Sequence, residues 1–168
     1  LQLSLGSVRA VGLPAVYVDS GSTDGSQAIA KSLGIVIVEL DPSRPFSAAR
    51  GRNEGLDEAI ERWKIEFVLF LDGDCALDPN FPPAAIAALQ DHPDCAIVTG
   101  HLSERSPEAS IYNRLCAIEW AGPAGPIENM NGLGGIMMAR VSMLREVGGF
   151  NEEAIAGEEP DLGVRLGL

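Results

Sequence analysis

The sequence predicts an α/β fold, a mostly parallel Rossmann-like sheet flanked by helices, and three observations predict it. Short apolar runs alternate with amphipathic helical stretches along the whole chain. The runs are continuous rather than polar on every second residue, as suits strands covered on both faces. Two of them, Val16-Tyr-Val-Asp19 and Phe67-Val-Leu-Phe-Leu-Asp72, end on aspartate, so acidic groups collect at the carboxyl ends of strands, where open α/β sheets bind ligands. With 168 residues the chain is long enough for one domain with a substantial core.

The elements follow in order. Residues 1–11 read as the end of a helix, stopped by Gly12, Leu13 and Pro14. Residues 15–18 are a strand and 19–24 a polar loop. Asp24 and Gln27 have capping-box spacing, which predicts a helix to Leu33, ended by Gly34. Residues 35–40 form a second strand. Ser47 can cap a helix reaching Trp63, with Ala49, Leu56, Ala59 and Ile60 on its apolar face and Arg50, Glu54, Asp57, Glu58 and Glu61 opposite. Residues 67–71 are a third strand, 83–90 a helix, and 95–99 a fourth strand. Residues 109–121 read as a helix carrying Trp120, and 122–131 as a Gly/Pro loop. A strand over 134–139, a helix over 141–147 closed by Gly148-Gly149, and a helix from about Pro160 complete the chain.

Composition removes several classes. A formal net charge of −12 with 12 Lys and Arg leaves no basic footprint for nucleic acid. No apolar run approaches the about 20 residues of a membrane span. Cys75, Cys95 and Cys116 are odd in number and form no CxxC pair, which indicates neither a disulfide framework nor a zinc site but a reducing, cytoplasmic setting.

Four segments carry chemistry. In Asp72-Gly73-Asp74, a strand delivers two carboxylates separated by one glycine. Such a pair repels itself unless a cation intervenes, and Mg²⁺ or Mn²⁺ accepts these oxygens together with substrate phosphates. An ordinary turn is the competing reading. An EF-hand is excluded by Ala76 and Pro83, and a haloacid-dehalogenase phosphatase by Ala76. Asp19, with Ser20 in the loop after it, can accept the imide N–H of uracil or thymine, while Asp24 reads as a helix cap. Arg52 and Asn53 turn toward the apolar side of their helix, where a diphosphate or an ion pair with Asp19 or Asp72 can satisfy the charge. Glu158 and Glu159 precede the last helix, where acidic residues also complement the helix dipole.

Together, VDSGSTDGS, RNEG, FLDGD, GGFNE and GEEPDLGVRL resemble, in order and spacing, glycosyltransferase family 2 of the GT-A fold over nearly the whole chain. The resemblance implies an inverting glycosyltransferase that moves a sugar from a nucleoside-diphosphate sugar, UDP-sugar favoured, to an acceptor hydroxyl with Mn²⁺ or Mg²⁺. It implies that Asp19 and its loop residue Ser20 bind the base, Asp72 and Gly73 the ribose or metal side, Asp74 the metal, and Arg52 and Asn53 the donor. It also implies that the acidic pair Glu158-Glu159 contains the general base, with Glu159 favoured by position although aspartate is commoner there. The acceptor, a carbohydrate, lipid-linked or other hydroxyl compound, is expected over Asn131, Gly134 and Gly135, in polysaccharide or glycoconjugate synthesis. The family's first strand and everything after the acidic pair's helix are missing, so residues 1–168 read as a single GT-A domain truncated at both ends, whose intact form can associate with a membrane through other regions. A sugar nucleotidyltransferase and a non-catalytic nucleotide-sugar-binding module are the alternatives.

Overall fold

A computed structural model describes residues 1–120, 125–126 and 135–167. These residues form α1 (Gln2–Ala10), β1 (Val16–Asp19), α2 (Ser26–Ser32), β2 (Val36–Glu39), α3 (Ala48–Arg62), β3 (Phe67–Leu71), α4 (Phe81–Asp91), β4 (Ile97–Thr99), α5 (Ile111–Glu119), β5 (Ile136–Arg140), α6 (Val141–Glu146) and α7 (Glu158–Leu166). The fold is α/β, as the alternating pattern predicts. Among the described residues no helix is long and apolar enough to cross a membrane.

The strands form two groups. β1 and β2 pair in parallel, with Val18 opposite Val38 and Asp19 opposite Glu39. β5 lies between β3 and β4 and runs antiparallel to both, so β3 and β4 run parallel to each other. The expected parallel arrangement holds for β1 with β2 and for the shared direction of β3 and β4, and β5, between the latter two, is the strand that reverses. Among the described residues β1 pairs only with β2, and β3 only with β5.

Alternation along the strands sets the layers. In β5, Met137 and Ala139 face a core shared with Ala49 and Leu56 of α3, Leu144 of α6 and Leu162 of α7. Met138 faces the other side, onto Ala85 and Leu89 of α4. β3 alternates likewise, Val68 and Phe70 toward the first core, Phe67 and Leu69 toward the second. β1 turns Tyr17 toward α1 and α2, and Val18 toward α3. A Cβ on Gly55 would lie 2.8 Å from a Val18 methyl, so this glycine lets α3 settle closely on β1. Helix α3 thus packs on both strand groups and fixes one against the other.

Ser47 caps α3 as its position predicts, its Oγ accepting from the Arg50 N–H at 3.1 Å. Two local expectations are corrected. The α2 capping box does not form: the N-cap is Gly25, at φ +87°, and Asp24 accepts from the Ser26 N–H one residue before the expected place. Gln27 points instead to Asp19, which offers a buried carboxylate in need of donors. Arg50, expected on the solvent side of α3, is buried. It donates to Glu54 at 2.7 Å and to the carbonyls of Asp41, Arg44 and Pro45, because the loop before α3 folds over it.

Candidate active site

The site forms where β1, β3, α3 and α7 end or begin near one another. Asp19, the last residue of β1, is 1% exposed. Its Oδ1 accepts from the Tyr17 hydroxyl at 2.8 Å, and its Oδ2 from the N–H groups of Gly21 and Ser22 and from the Gln27 amide at 2.8 Å. Burial pushes this carboxyl toward its neutral form, but hydrogen bonds from Ser22, Gln27 and Tyr17 outweigh burial and hold it well below the usual carboxylate range. Asp19 therefore organises the loop that carries exposed Ser20. A depressed folded-state pKa gives stability that is present above the unfolded value of about 4 and lost as pH falls below it. Asp19→Asn should lose about 2 kcal/mol at pH 7. Urea unfolding should show the gap to wild type closing as the pH is lowered toward 2 (about two units below that value).

At the end of β3, Asp72 and Asp74 are both exposed, and a Cβ on Gly73 between them would make only an ordinary contact with Leu1, at 3.7 Å. The Asp72 N–H donates to the Gly135 carbonyl at 3.0 Å, tying this loop to the start of β5. Gly135 is at φ +84°, and a Cβ there would meet Leu102 at 2.8 Å. Of the expected acceptor residues only Gly135 is described; Asn131 and Gly134 lie outside the described residues. Burial, then the charge of Asp74, push the Cys75 thiol up to about 11, so it stays protonated at neutral pH and offers no thiolate.

Arg52, on the second turn of α3, joins the two acidic motifs. Its Nη1 donates to Glu158 at 2.7 Å; its Nη2 lies 2.8 Å from Glu159 and 3.3 Å from Asp72. The guanidinium also stacks 5.4 Å from the Phe150 ring centre. Burial works against its charge, but Glu159, Asp72 and Glu158 outweigh burial and raise its pKa. Of the sequence alternatives for Arg52, the ion pair with Asp72 is present. Glu158 and Glu159 are the first two residues of α7, inside the helix rather than before it, because Gly157 at φ +81° takes the N-cap.

Asn53, expected at the donor, has another use here. Its Oδ1 accepts from the Phe150 N–H and its Nδ2 donates to the Phe150 carbonyl, both at 2.9 Å, and to Glu152 at 3.1 Å. Gly149, at φ +74°, approaches so closely that a Cβ would lie 2.7 Å from Asn53 Oδ1. Phe150 is 2% exposed and stands edge-on to Phe70 at 5.2 Å. The Gly-Gly-Phe segment is thus held by Asn53 and in turn floors Arg52, a role that sequence spacing did not disclose. Asn53→Ala leaves two buried backbone groups unpaired and should cost about 2–4 kcal/mol in chemical unfolding.

Two oxygen-bearing carboxylates at one strand end suit a hard divalent cation whose other positions are filled by phosphate and water. Among the described residues no group of three His, Cys, Asp or Glu is placed to hold a metal by itself. A cavity of about 340 Å³ at the opposite ends of β1 and β2, lined by Arg9, Leu13, Pro14 and Trp63 among others, carries no carboxylate.

Comparison with known proteins bears on the family and the fold. Poly-beta-1,6-N-acetyl-D-glucosamine synthase of Staphylococcus epidermidis is 26% identical over 170 residues, covering 92% of this chain and 40% of the relative. The Staphylococcus aureus protein of the same name is 25% identical over 71% of this chain and 28% of its own length. The chain thus spans less than half of these relatives. Among solved structures, the mannosyltransferase from Pyrobaculum calidifontis in complex with GDP-Man and Mn²⁺ superposes with a TM-score of 0.58 at 22% identity, over 92% of this chain and 42% of that one. Glucosyl-3-phosphoglycerate synthase from Mycobacterium tuberculosis superposes with a TM-score of 0.59 at 23% identity, over 99% of this chain and 63% of that one. These likenesses establish the GT-A glycosyltransferase fold, and the model for glycosyl transferase family 2 matches residues 8–147. The chain belongs to glycosyl transferase family 2.

Proposed function

We propose that this chain is the donor-binding and catalytic core of an inverting glycosyltransferase that uses a UDP-sugar and a divalent metal, Mn²⁺ or Mg²⁺. The observation that carries the reading is the meeting of Asp72 with Glu158 and Glu159 on the single guanidinium of Arg52. A donor-side carboxylate and an acidic pair suited to proton removal lie within one side chain's span. The acceptor hydroxyl oxygen attacks the anomeric carbon as its proton passes to the Glu159 carboxylate. The bond from that carbon to the diphosphate oxygen breaks, and the electron pair leaves with the nucleoside diphosphate. Bound at Asp74 and Asp72, the metal would neutralise charge on the leaving diphosphate.

The nucleobase lies against the loop of Ser20 that Asp19 organises. Asp19, buried and already accepting from Tyr17, Gly21, Ser22 and Gln27, acts on the base by holding this loop in place. The acceptor approaches over Gly135, and the product is a polysaccharide or glycoconjugate, in keeping with the names of the staphylococcal relatives. Calorimetry of UDP and GDP with Mn²⁺ and with chelator tests the reading. UDP should bind at least about ten-fold more tightly with the metal. Equal UDP affinity in the two conditions overturns the donor site as described, and tighter binding of GDP overturns the choice of base.

A further inference from the structure

We infer that Arg52 is a positioning residue and a built-in counter-cation, which lowers the affinity of the donor site for free metal ions and raises it for metal already bound to a diphosphate. This rests on the donor site proposed above and concerns the order in which its ligands arrive. The guanidinium is not free to leave. Its side chain is 15% exposed, one face rests on Phe150, and Phe150 is locked by Asn53 and Phe70. It faces three carboxylates and leaves the group with a surplus of negative charge, which in isolation would attract any divalent cation.

The three contacts are unequal. Those to Glu158 and Glu159 are 2.7 and 2.8 Å, whereas Asp72 stands 3.3 Å from the same Nη2 that serves Glu159. Asp72 is also the most exposed of the three acids, so it is the one a metal can draw away. For a bare divalent ion at Asp72 and Asp74, the Arg52 charge a few ångströms away offsets part of the attraction of the acids and so lowers its affinity. A metal–nucleoside diphosphate complex brings net negative charge, so the same guanidinium attracts it. After Asp72 turns to that complex, Arg52 still pins Glu158 and Glu159, and the acidic pair keeps its place while the donor binds.

The test compares wild type, Arg52→Gln and Arg52→Lys of the full chain, titrated with Mn²⁺ alone and with Mn²⁺–UDP, using electron paramagnetic resonance for free Mn²⁺. Arg52→Gln should bind Mn²⁺ alone about ten-fold more tightly than wild type and Mn²⁺–UDP about ten-fold less tightly. Arg52→Lys keeps the charge and should stay near wild type for Mn²⁺ alone. If Arg52→Gln does not fold, Arg52→Gln/Glu158→Gln removes one charge of each sign and should still bind Mn²⁺ alone more tightly than wild type. A purely structural Arg52 would not raise affinity for the bare ion. If the folded variant binds Mn²⁺ alone no more tightly than wild type while wild type binds Mn²⁺–UDP, this inference is wrong and the donor site stands. If wild type binds no Mn²⁺–UDP, the donor site itself falls and takes the inference with it.

Discussion

Asp74→Ala should bind UDP equally in Mn²⁺ and in chelator, losing the whole metal-linked gain, expected to be at least about 1.4 kcal/mol. The structure separates the two aspartates of the loop. Asp72 is drawn to Arg52, whereas the hydrogen-bond contact of Asp74 among the described residues is a long one, from the Cys75 Sγ at 3.6 Å. Asp74 therefore has its carboxylate available to a cation and little part in holding the fold. Its removal should leave unfolding free energy within about 0.5 kcal/mol of wild type. Calorimetry and urea unfolding on the same sample check both halves. A variant that retains its metal response shows that Asp72 alone supplies the protein's share of the site.

Most of the scaffold was legible because its signals are local. Phe67–Leu71 is a continuous apolar run, and Ser47 stands where a cap is needed, so β3 and the start of α3 read directly from the chain. The direction of β5 was not legible. Ile136–Arg140 has the composition of any covered strand, and nothing in that composition says whether it runs with or against β3. Helical period alone places Arg50 and Arg52 on their faces of α3. That period cannot anticipate a loop over residues 41–46 folding across Arg50. The clamp of Asn53 on Phe150 is not legible in the sequence because its partners are 97 residues away. The paired signal in hindsight is the positive-φ Gly149 beside it, which only a backbone shows.

The arrangement also explains why one helix carries so much. Gly51 and Gly55 of α3 lie against Val18 of β1, while Ala49 and Leu56 enter the core beneath β5. Arg52 and Asn53 sit between those contacts, so each side chain is aimed by a helix packed on both strand groups. A residue so placed can bring the end of β3 and the start of α7 into register, which a loop residue would do less reproducibly.

In the intact enzyme, Glu159→Gln should lower turnover by about 10²-fold or more while UDP-sugar affinity barely changes. Glutamine keeps the length of the side chain and an oxygen that can accept from Arg52 Nη2, so the geometry at 2.8 Å is preserved and only the ability to take a proton is lost. The choice of Glu159 over Glu158 rests on how they share the guanidinium. Glu158 is 8% exposed and has Nη1 to itself, as suits a residue that anchors α7. Glu159 shares Nη2 with Asp72, which places it nearer the donor side. Glu158→Gln should therefore cost more stability than turnover, since it weakens a buried ion pair. Both variants need to be assayed with donor and acceptor saturating, so that turnover is read apart from binding. Asp161 is held by Arg165 at 2.8 Å, one turn further along α7. Near wild-type turnover in Glu159→Gln would move the base to Glu158 or to Asp161, and a matching loss in Glu158→Gln would decide between them.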